Sequence, residues 1–345
     1  MPRRNPPISS RGARTADTME IVRMGVVGTG HMGQYHANIF AGLPGVQFIG
    51  VHDADPNRAR EVSARYGVQC FDDLDQLLAQ VDAVTIAAPT NLHYQIASAA
   101  LAAGVHVLVE KPMTRTARYA GRLVEQAAAK GLILQTGHVE RFNGAIRQIG
   151  NIVSAPHLAE ARRLAPRTDR AQDTGVVLDL MVHDIDIVLG LIASPLQSVY
   201  AVGSAVYSPS AHEDVATAIL QFENGCVANI TASRVTNEKI RTLAISQRDA
   251  YIFLDYSRQE IDVYRRLSQD YAVRSGELRY SVESTVERVF VHNVNPLQQE
   301  LMHFCDCVRG NAVPLVRGED DVNTIALTRR ILHCIHGDLA NDDEE

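Results

Sequence analysis

The chain has 345 residues, 46% hydrophobic and 21% charged, which is the composition of a folded protein and excludes disorder along the whole chain. Its formal net charge of −7 offers no general attraction to nucleic acid or to an anionic membrane surface. The longest near-continuous apolar stretch, Ile96 to Val105, is too short to span a bilayer. We therefore expect two domains, with neither a nucleic-acid nor a membrane partner.

The ends of the chain and its cysteines indicate the cellular compartment of the protein. Residues 1–18 carry four arginines and three prolines without an apolar segment, which is typical of a flexible leader, and residues 341–345 are interpreted as an acidic tail. The five cysteines are an odd number, scattered through a chain without a secretory signal. This pattern indicates reduced thiols and a cytoplasmic protein.

In residues 19–140, short apolar runs alternate with amphipathic stretches, a pattern that predicts βαβ units and a parallel sheet. The predicted strands are Val22–Val27, Val46–His52, Ala83–Ala87, Val105–Val109 and Leu132–Thr136. The predicted helices are His31–Leu43, Pro56–Tyr66, Leu92–Ala103 and Thr114–Lys130. The fold class expected for this half is an α/β Rossmann domain.

After residue 150 the pattern changes. The predicted elements are a helix from about Gly175 to Leu191, a series of strand-like segments, and two helices near Pro296–Arg309 and Asp320–His336. Asn224-Gly225 between two of the segments indicates a hairpin.

Residues 141–340 are accordingly predicted to form an α+β domain with a mostly antiparallel open sheet, which binds substrate and mediates oligomerisation. Its last helix is expected to be able to pack back on the Rossmann domain. The segment Val215–Leu220 is apolar on both faces, so we expect a second copy of the chain to cover one of them. A homodimer or homotetramer is the predicted assembly.

A glycine-rich turn follows the first predicted strand and opens the first helix, in the order Gly28-Thr29-Gly30-His31-Met32-Gly33. Asp53 ends the second strand, 20 residues beyond Gly33. These glycines permit a tight turn, close approach of a pyrophosphate and close helix packing, while the aspartate accepts hydrogen bonds from ribose hydroxyls. NAD is therefore favoured over NADP, with nearby Arg58 as the argument for NADP.

Two further segments lie at the carboxyl ends of predicted strands, where ligands collect in such folds. They are Ala88-Pro89-Thr90-Asn91-Leu92-His93 and Glu110-Lys111-Pro112. The cofactor contacts predicted in them are Ala88, Pro89, Thr90, His93, Glu110 and Lys111.

Several linked motifs together resemble the glucose-fructose oxidoreductase / inositol dehydrogenase (Gfo/Idh/MocA) family. They are Gly28-x-Gly30-x-x-Gly33-x-x-His36, Pro89-Thr90-x-x-His93, the run Gly104 to Pro112, and Gly175-x-x-x-Asp179-x-x-x-His183. The resemblance implies an NAD-dependent sugar dehydrogenase in which Lys111 and His183 are catalytic and Asp179 binds the sugar. Thr174 and Met181 depart from the family pattern, which often has glycine at those positions, and this puts the shape of the sugar pocket in doubt.

The residues themselves suit that chemistry. Asp179 and His183 are four residues apart, so on a helix they share a face, and Asp186 could orient the imidazole while Asp184 points elsewhere. A histidine with a pKa near neutrality can take the hydroxyl proton while hydride leaves for a nicotinamide. The positive charge of Lys111 would stabilise the developing alkoxide.

Metal ligation is the alternative interpretation of several of these side chains. We predict no metal, because hydride transfer to NAD needs none and because alternating ligands diverge around a helix axis. The two candidate sets are Asp179, His183 and Asp186, and His303, Cys305, Cys307, Cys334 and His336.

Four arginines precede the catalytic helix, at positions 162, 163, 167 and 170. In an acidic chain they indicate an anionic substrate, because guanidinium binds phosphate in bidentate fashion, but a solvated basic loop is equally compatible with them. The predicted substrate contacts are Arg141, Arg167, Arg170 and Asp179.

The strings Gly175 to Val188 and His138 to Asn143 resemble a subgroup of the family that oxidises the 3-hydroxyl of UDP-N-acetylglucosamine. That resemblance implies a nucleotide-sugar substrate. Two other functions stay open: a dehydrogenase of the same family for an unphosphorylated sugar or inositol, and a non-catalytic NAD-sensing regulator on the same fold.

Overall fold

The computed structural model describes residues 20–167, 174–207, 212–274 and 277–337, with the backbone alone for residues 266–284. The leader predicted over residues 1–18, the acidic tail predicted over residues 341–345, and Arg170 lie outside these described residues.

The first half of the chain forms a six-stranded sheet in which every pairing is parallel and the strand order is 3-2-1-4-5-6. Strands β2 and β3 lie on one side of β1, and β4 to β6 lie on the other side. This reversal of strand order opens a crevice at the carboxyl ends of β1 and β4. The strands are β1 Val22–Val27, β2 Val46–His52, β3 Gln69–Cys70, β4 Ala83–Ile86, β5 His106–Glu110 and β6 Leu134–Gly137.

Five helices connect these strands. Their ends follow local rules: Asp55 accepts hydrogen bonds from the first amides of the second helix, Pro56 occupies its first turn, and Gly67 ends it in a left-handed conformation. The helices are α1 His31–Phe40, α2 Pro56–Tyr66, α3 Leu74–Leu78, α4 Thr90–Ala102 and α5 Ala117–Lys130.

The second half forms an eight-stranded sheet in the order 14-13-12-11-7-10-9-8. Only the β7–β10 pairing is parallel, so the predicted mostly antiparallel sheet is confirmed. The strands are β7 Pro156–Leu164, β8 Leu196–Ser204, β9 Val215–Phe222, β10 Val227–Ser233, β11 Ile240–Gln247, β12 Ala250–Asp255, β13 Glu260–Arg274 and β14 Glu277–Val289.

The helices of the second half join the two sheets. The last one packs against α5 of the first half and against the helix that carries His183, while the one before it packs against α1. They are α6 Gly144–Ile149, α7 Val182–Leu191, α8 Pro296–Val308 and α9 Gly318–His336, with a 3-10 turn at Val139–Phe142 and a π-helical turn at Val177–Met181.

The two faces of the large sheet differ. One face packs with α7 and α9 into a continuous apolar core. On the other face large apolar side chains are exposed, among them Tyr200 (67%), Val202 (73%) and Ile219 (46%). None of the helices in the described part of the chain combines the length and the apolar character needed to cross a bilayer.

Two elements add to what the sequence predicted. The helix expected from about Gly175 to Leu191 is present, but its first part, Val177–Met181, is a π-helical turn that runs directly into α7, so its first residues do not continue the α-helical periodicity of the rest. Strand β7 was not predicted, because its sequence PHLAEARRL carries charged residues at both exposed and buried positions. Arg162 and Arg163 therefore lie in a strand and not in a loop.

Candidate active site

The glycine-rich turn has the shape that a dinucleotide requires. Gly28 has a φ of +89°, and a Cβ there would meet the backbone of Ala87 and Ala88. A Cβ at Gly33 would overlap the carbonyl oxygen of Gly28, whereas Gly30 faces open space. Helix α1 begins immediately after Gly30 with no side-chain cap and no acidic residue in its first turn, so its free amides can bind a pyrophosphate.

Asp53 lies beside this turn with its side chain 8% exposed. One carboxylate oxygen accepts hydrogen bonds from the amide (2.6 Å) and hydroxyl (2.8 Å) of Thr29, and the other from the amide of Asp55 (2.8 Å). Burial opposes its charge, but these hydrogen bonds and Arg58 lower the pKa of Asp53 below its usual value. The ionised carboxylate keeps lone pairs for ribose hydroxyls, so the residues present fit a dinucleotide.

His93 was predicted to contact the cofactor, and the structure gives its ring another role. The side chain is buried, with Nδ1 2.9 Å from the carbonyl oxygen of Pro112 and Nε2 2.8 Å from that of Ala88. An imidazole with a single N–H donates to only one of these carbonyl oxygens, and the tautomer decides which. The ring thereby links the loops after β4 and β5, and a carbonyl oxygen faces each of its nitrogens. Pro89 and Thr90 open α4 directly above that contact.

Lys111 follows β5 and reaches across to the second half of the molecule. Its Nζ donates a hydrogen bond of 3.0 Å to the carbonyl oxygen of Asp179, in the π-helical turn. Burial lowers the pKa of Lys111, although the charges of Asp179 and Glu110 partly offset that effect. The ammonium thus lies at the junction of the two halves, beside the residues that precede α7.

His183 lies in the first turn of α7, two residues after the π-helical turn. Its Nδ1 is buried and has no hydrogen-bond partner among the described residues, while the side chain as a whole keeps some exposed surface. Burial, then the positive charges of Lys111 and Arg163, hold the pKa of His183 well below its usual value. The ring is accordingly neutral at physiological pH, the form in which imidazole accepts a proton.

Of the two carboxylates near His183, one has a role other than the predicted one. Asp186 does not orient the imidazole of His183 but accepts hydrogen bonds of 2.6 and 3.0 Å from the guanidinium of Arg141. Asp184, expected to point elsewhere, is buried against Arg163 and accepts hydrogen bonds of 2.8 and 3.0 Å from its guanidinium. The i,i+3 spacing of His183 and Asp186 suggested a contact between them. The carboxylate of Asp186 instead binds the guanidinium of Arg141, because a charged donor forms a stronger hydrogen bond with a carboxylate than a neutral imidazole does.

The predicted cluster of substrate-binding arginines is not assembled. Arg163 is 1% exposed and bridges Asp184 and Glu140, while Arg141 is held by Asp186. Arg167 is exposed and stacks over the ring of Tyr207, 4.7 Å from its centroid. Arg163, one of the four arginines that indicated an anionic substrate, is therefore neutralised within the protein, and the guanidinium of Arg141, a predicted substrate contact, is paired with Asp186. The assignment of Arg141 and Arg167 to substrate stays a prediction.

A second buried network holds the lysine loop, and the sequence analysis missed it. The carboxylate of Asp321, from α9, accepts hydrogen bonds from the amide of Met113 (2.9 Å) and from Nε2 of His138 (2.7 Å). Although burial opposes its charge, Asp186 and Asp321 raise the pKa of His138. Asp321 belongs to the acidic first turn of α9, where the sequence indicates that it stabilises the start of the helix. Its contact with Met113, 208 residues away, has no signal in the sequence.

Two further residues near the site were also missed. Glu213 accepts a hydrogen bond of 2.9 Å from the amide of Val177 and lies 2.9 Å from Nε2 of His336, so it joins the start of the π-helical turn to the end of α9. Arg241, 31% exposed, is 3.4 Å from Glu140, and its charge contributes to the low pKa of His183. No motif marks either of them.

A cavity of about 910 Å³ opens beside Lys111, Asp179 and Glu213, and His183 is not one of the residues that line it. Lys111 and Asp179 line it, together with Gly175, the start of α4 and side chains of α9. In the described residues, no three His, Cys, Asp or Glu side chains come together in a way that could hold a metal ion. The arrangement suits proton transfer between a bound alcohol and a neutral histidine, close to a buried ammonium.

Two family models match the chain. Residues 22–138 match the oxidoreductase family with an NAD-binding Rossmann fold, and residues 140–252 match the GFO/IDH/MocA C-terminal domain. The chain belongs to the GFO/IDH/MocA oxidoreductase family. It is an NAD-dependent oxidoreductase, and the family, fold class and cofactor predicted from the motifs are confirmed.

The chain is similar to members of the GFO/IDH/MocA family that are named as dehydrogenases for different substrates. It is 41% identical to UDP-N-acetylglucosamine 3-dehydrogenase of Acidithiobacillus ferrooxidans over 248 residues, which cover 71% of this chain and 77% of that one. A solved structure of that enzyme superposes with a TM-score of 0.83 at 33% identity, covering 92% of this chain and 98% of that chain. The scyllo-inositol 2-dehydrogenase (NAD(+)) of Bacillus subtilis is 25% identical over 319 residues, covering 87% and 90%.

Proposed function

We propose that the protein oxidises the 3-hydroxyl of UDP-N-acetylglucosamine to the 3-keto sugar, with NAD as hydride acceptor. The observation that carries the choice of substrate is the 41% identity to the Acidithiobacillus ferrooxidans enzyme across 71% of the chain. The chemistry is supported by Lys111 and His183, since the positive charge of Lys111 helps to lower the pKa of His183 at the junction of the two domains.

In this proposal His183 takes the proton of the 3-hydroxyl. Its low pKa keeps the ring neutral and able to accept that proton, and burial limits access of bulk water. Lys111 donates a hydrogen bond to the oxygen as negative charge develops on it, and Asp179 binds a neighbouring hydroxyl of the sugar. Bound NAD supplies the hydride acceptor for C3, so the products are the 3-keto sugar, NADH and a proton.

Replacement of His183 tests these roles. The His183→Ala variant should form NADH from UDP-N-acetylglucosamine at least ~100-fold more slowly, the typical loss for a missing general base, while NAD affinity measured by fluorescence is unchanged. His157→Ala, which alters an exposed histidine of β7, is the matched control and should have normal turnover. Wild-type turnover in the His183 variant would refute its assignment as the base.

A dehydrogenase for inositol or another unphosphorylated polyol is the second candidate. It is favoured by the similarity to the Bacillus subtilis scyllo-inositol dehydrogenase over 87% of the chain. The values of kcat/KM for UDP-N-acetylglucosamine and for myo- and scyllo-inositol decide between the two. A higher value for either inositol would replace the nucleotide sugar as the proposed substrate.

We also propose that the protein is a cytoplasmic homodimer or homotetramer, with the domain boundary near residue 140. The exposed apolar side chains of β8 and β9, including Tyr200 and Val202, favour a covering copy of the same chain. Free thiols at all five cysteines fit a reducing compartment. Light scattering combined with size-exclusion chromatography tests the assembly, and a monomer at micromolar concentration would contradict it.

A further inference from the structure

A buried histidine lies between the elements that support the two reacting side chains. His138 directly follows β6, is 1% exposed and is not among the residues that line the cavity. Its Nε2 lies 2.7 Å from a carboxylate oxygen of Asp321, and its Nδ1 lies 4.0 Å from the carboxylate of Asp186. The first distance is that of a strong hydrogen bond and the second that of an ion pair. The two carboxylates come from different helices, α9 and α7.

The contact with Asp321 leads to the catalytic lysine. The other carboxylate oxygen of Asp321 accepts a hydrogen bond of 2.9 Å from the amide of Met113. Met113 belongs to the lysine loop, residues 111–116 between β5 and α5, and lies two residues after Lys111. One buried carboxylate therefore binds both the ring of His138 and the backbone of the loop that carries the ammonium.

The contact with Asp186 leads to the catalytic histidine. Asp186 is three residues after His183 on α7, so the two side chains lie on neighbouring turns of one helix. Arg141 holds the carboxylate of Asp186 with hydrogen bonds of 2.6 and 3.0 Å. Because a helix moves as a rigid unit, the place of Asp186 determines the place of the first turn of α7.

Charge keeps the ring of His138 between the two carboxylates. An ionised carboxylate only accepts, so Nε2 carries a hydrogen towards Asp321. A neutral ring would then turn the lone pair of Nδ1 towards Asp186, whereas an imidazolium presents an N–H to it. Although burial opposes the charge, Asp186 and Asp321 raise the pKa of His138. The imidazolium and the guanidinium of Arg141 then balance the two buried carboxylates.

The charge of His138 also acts on the reacting imidazole. The charged and titratable groups that interact with His138 come from α9, α7 and the 3-10 turn after it, and they are Asp321, Asp186, His183 and Arg141. Burial and the charges of Lys111 and Arg163 lower the pKa of His183 most. The charge of His138 lowers it further.

We propose that His138 is a positioning residue that holds the lysine loop and α7 in a fixed relation, so that Lys111 and His183 act on the same hydroxyl group of the substrate. The ring acts only through Asp321 and Asp186 and through its charge. This inference rests on the proposed function for the roles of the two reacting side chains, but it does not depend on which sugar carries the hydroxyl.

Two variants separate the link to Asp321 from the charge of His138. Both His138→Gln and His138→Asn remove the charge. Glutamine places an amide N–H donor close to the position of Nε2 and keeps the link, whereas the shorter asparagine side chain does not reach Asp321. Any difference between the two variants therefore reports the link alone.

The steady-state kinetics of NADH formation from UDP-N-acetylglucosamine measure both effects. On the alkaline plateau His138→Asn should lower kcat ~10–100-fold, the size of loss that a misplaced reacting group causes, while KM changes less than ~threefold. His138→Gln should keep kcat within ~threefold of the wild type. In both variants the acid limb of kcat/KM should move to higher pH, because a positive charge that lowers the pKa of His183 is lost.

Asp321→Ala completes the kinetic test. It should lower kcat by a factor similar to that of His138→Asn, and the double variant should be no slower than the slower single variant, because the two residues form one link. His157→Gln and Asp72→Ala, both at exposed positions, are the matched controls and should behave like the wild type. NAD affinity, measured by fluorescence, should be unchanged in every variant and verifies folding.

NMR titration of isotope-labelled histidines provides a readout that needs no turnover. The signal of His183 is the one that is missing from His183→Ala. It should titrate at higher pH in His138→Gln and His138→Asn than in the wild type, and at the wild-type pH in His157→Gln. A histidine that only stabilised the fold would change neither this titration nor the kcat of the molecules that bind NAD.

Equal kcat in His138→Asn and the wild type would overturn the positioning role, and so would an additive loss in the double variant. Lost NAD binding in His138→Asn, together with wild-type pH behaviour of His138→Gln, would assign the histidine to folding alone. The proposed function fails separately. If an inositol is oxidised and UDP-N-acetylglucosamine is not, the proposed substrate is rejected and the same variants test His138 with that inositol. Sugar oxidation with unaltered kinetics in both His138 variants would do the reverse.

Discussion

Replacing Glu300 by glutamine probes a buried carboxyl that interacts electrostatically with Glu110, the residue before Lys111. Glu300, on α8, is 0% exposed, and neither of its carboxyl oxygens has a hydrogen-bond partner among the described residues. Burial, together with the charge of Glu110, raises the pKa of Glu300 well above its usual value. Glu110 behaves oppositely: burial opposes its charge, but a hydrogen bond from His36 (3.1 Å) and the charge of Lys111 lower its pKa.

The pH dependence of stability follows from the raised pKa of Glu300. The unfolded chain releases this proton above pH ~4.3, whereas the folded protein keeps it up to the raised value. Over that interval the free energy of unfolding of the wild type falls by ~1.4 kcal/mol for each unit that the pH rises. Glutamine has no proton to release, so the Glu300→Gln variant should become more stable relative to the wild type by ~1.4 kcal/mol per unit as the pH rises from 5.

Urea unfolding of wild type and Glu300→Gln at pH 5, 6 and 7 measures this difference. Glu125→Gln, an exposed glutamate of α5, is the control and should show no comparable trend. The carbonyl stretch of a protonated carboxyl group in the infrared spectrum should also disappear in the Glu300 variant. A stability difference that does not change with pH, or a wild type that gains on the variant, would show that Glu300 is ionised in the folded protein.

Two further predictions concern the cofactor and the base. Asp53→Ala should weaken NAD binding about tenfold, through the lost charged hydrogen bonds to ribose. It should also raise the relative use of NADP, because the carboxylate that repels a 2′-phosphate is removed while Arg58, which Asp55 also pairs at 3.1 Å, stays nearby. An unchanged ratio of the two kcat/KM values would contradict this. Arg241→Met should raise the pKa of His183, because the positive charge of Arg241 lowers it. The acid limb of the pH profile of kcat/KM should then move to higher pH. Arg258→Met, at an exposed position, is the control and should leave that limb unchanged.

The sequence predicts the first domain closely because its signals are local. The bounds of β1, β2 and α2 agree with the structure to the residue, since apolar runs and strong end signals such as Asp55-Pro56 and Gly67 define them. The turn from Gly28 to Gly33 and the positions of Lys111 and Asp179 follow from the same kind of pattern. These features depend on residues close together in the chain.

The failed predictions concern partners that are distant in the chain. Nothing within a few residues of Arg163 shows that Glu140 and Asp184 neutralise it, so its charge was interpreted as available for substrate. Asp186 was assigned to His183 from its i,i+3 spacing, although Arg141, 45 residues away, takes that carboxylate. Pairings of this kind are set by tertiary packing, which hydrophobic periodicity does not encode.

The long-range pairings also explain how the reacting groups can be fixed before substrate arrives. Lys111 is tied to the carbonyl oxygen of Asp179, and the loop that carries it is tied through Met113 to Asp321 of α9. Both contacts join residues from different halves of the chain, so the position of the ammonium depends on the junction and not on the sugar. Since the walls of the cavity are built from other residues, such as Arg115 and Arg329, substrate preference can change while this geometry is kept.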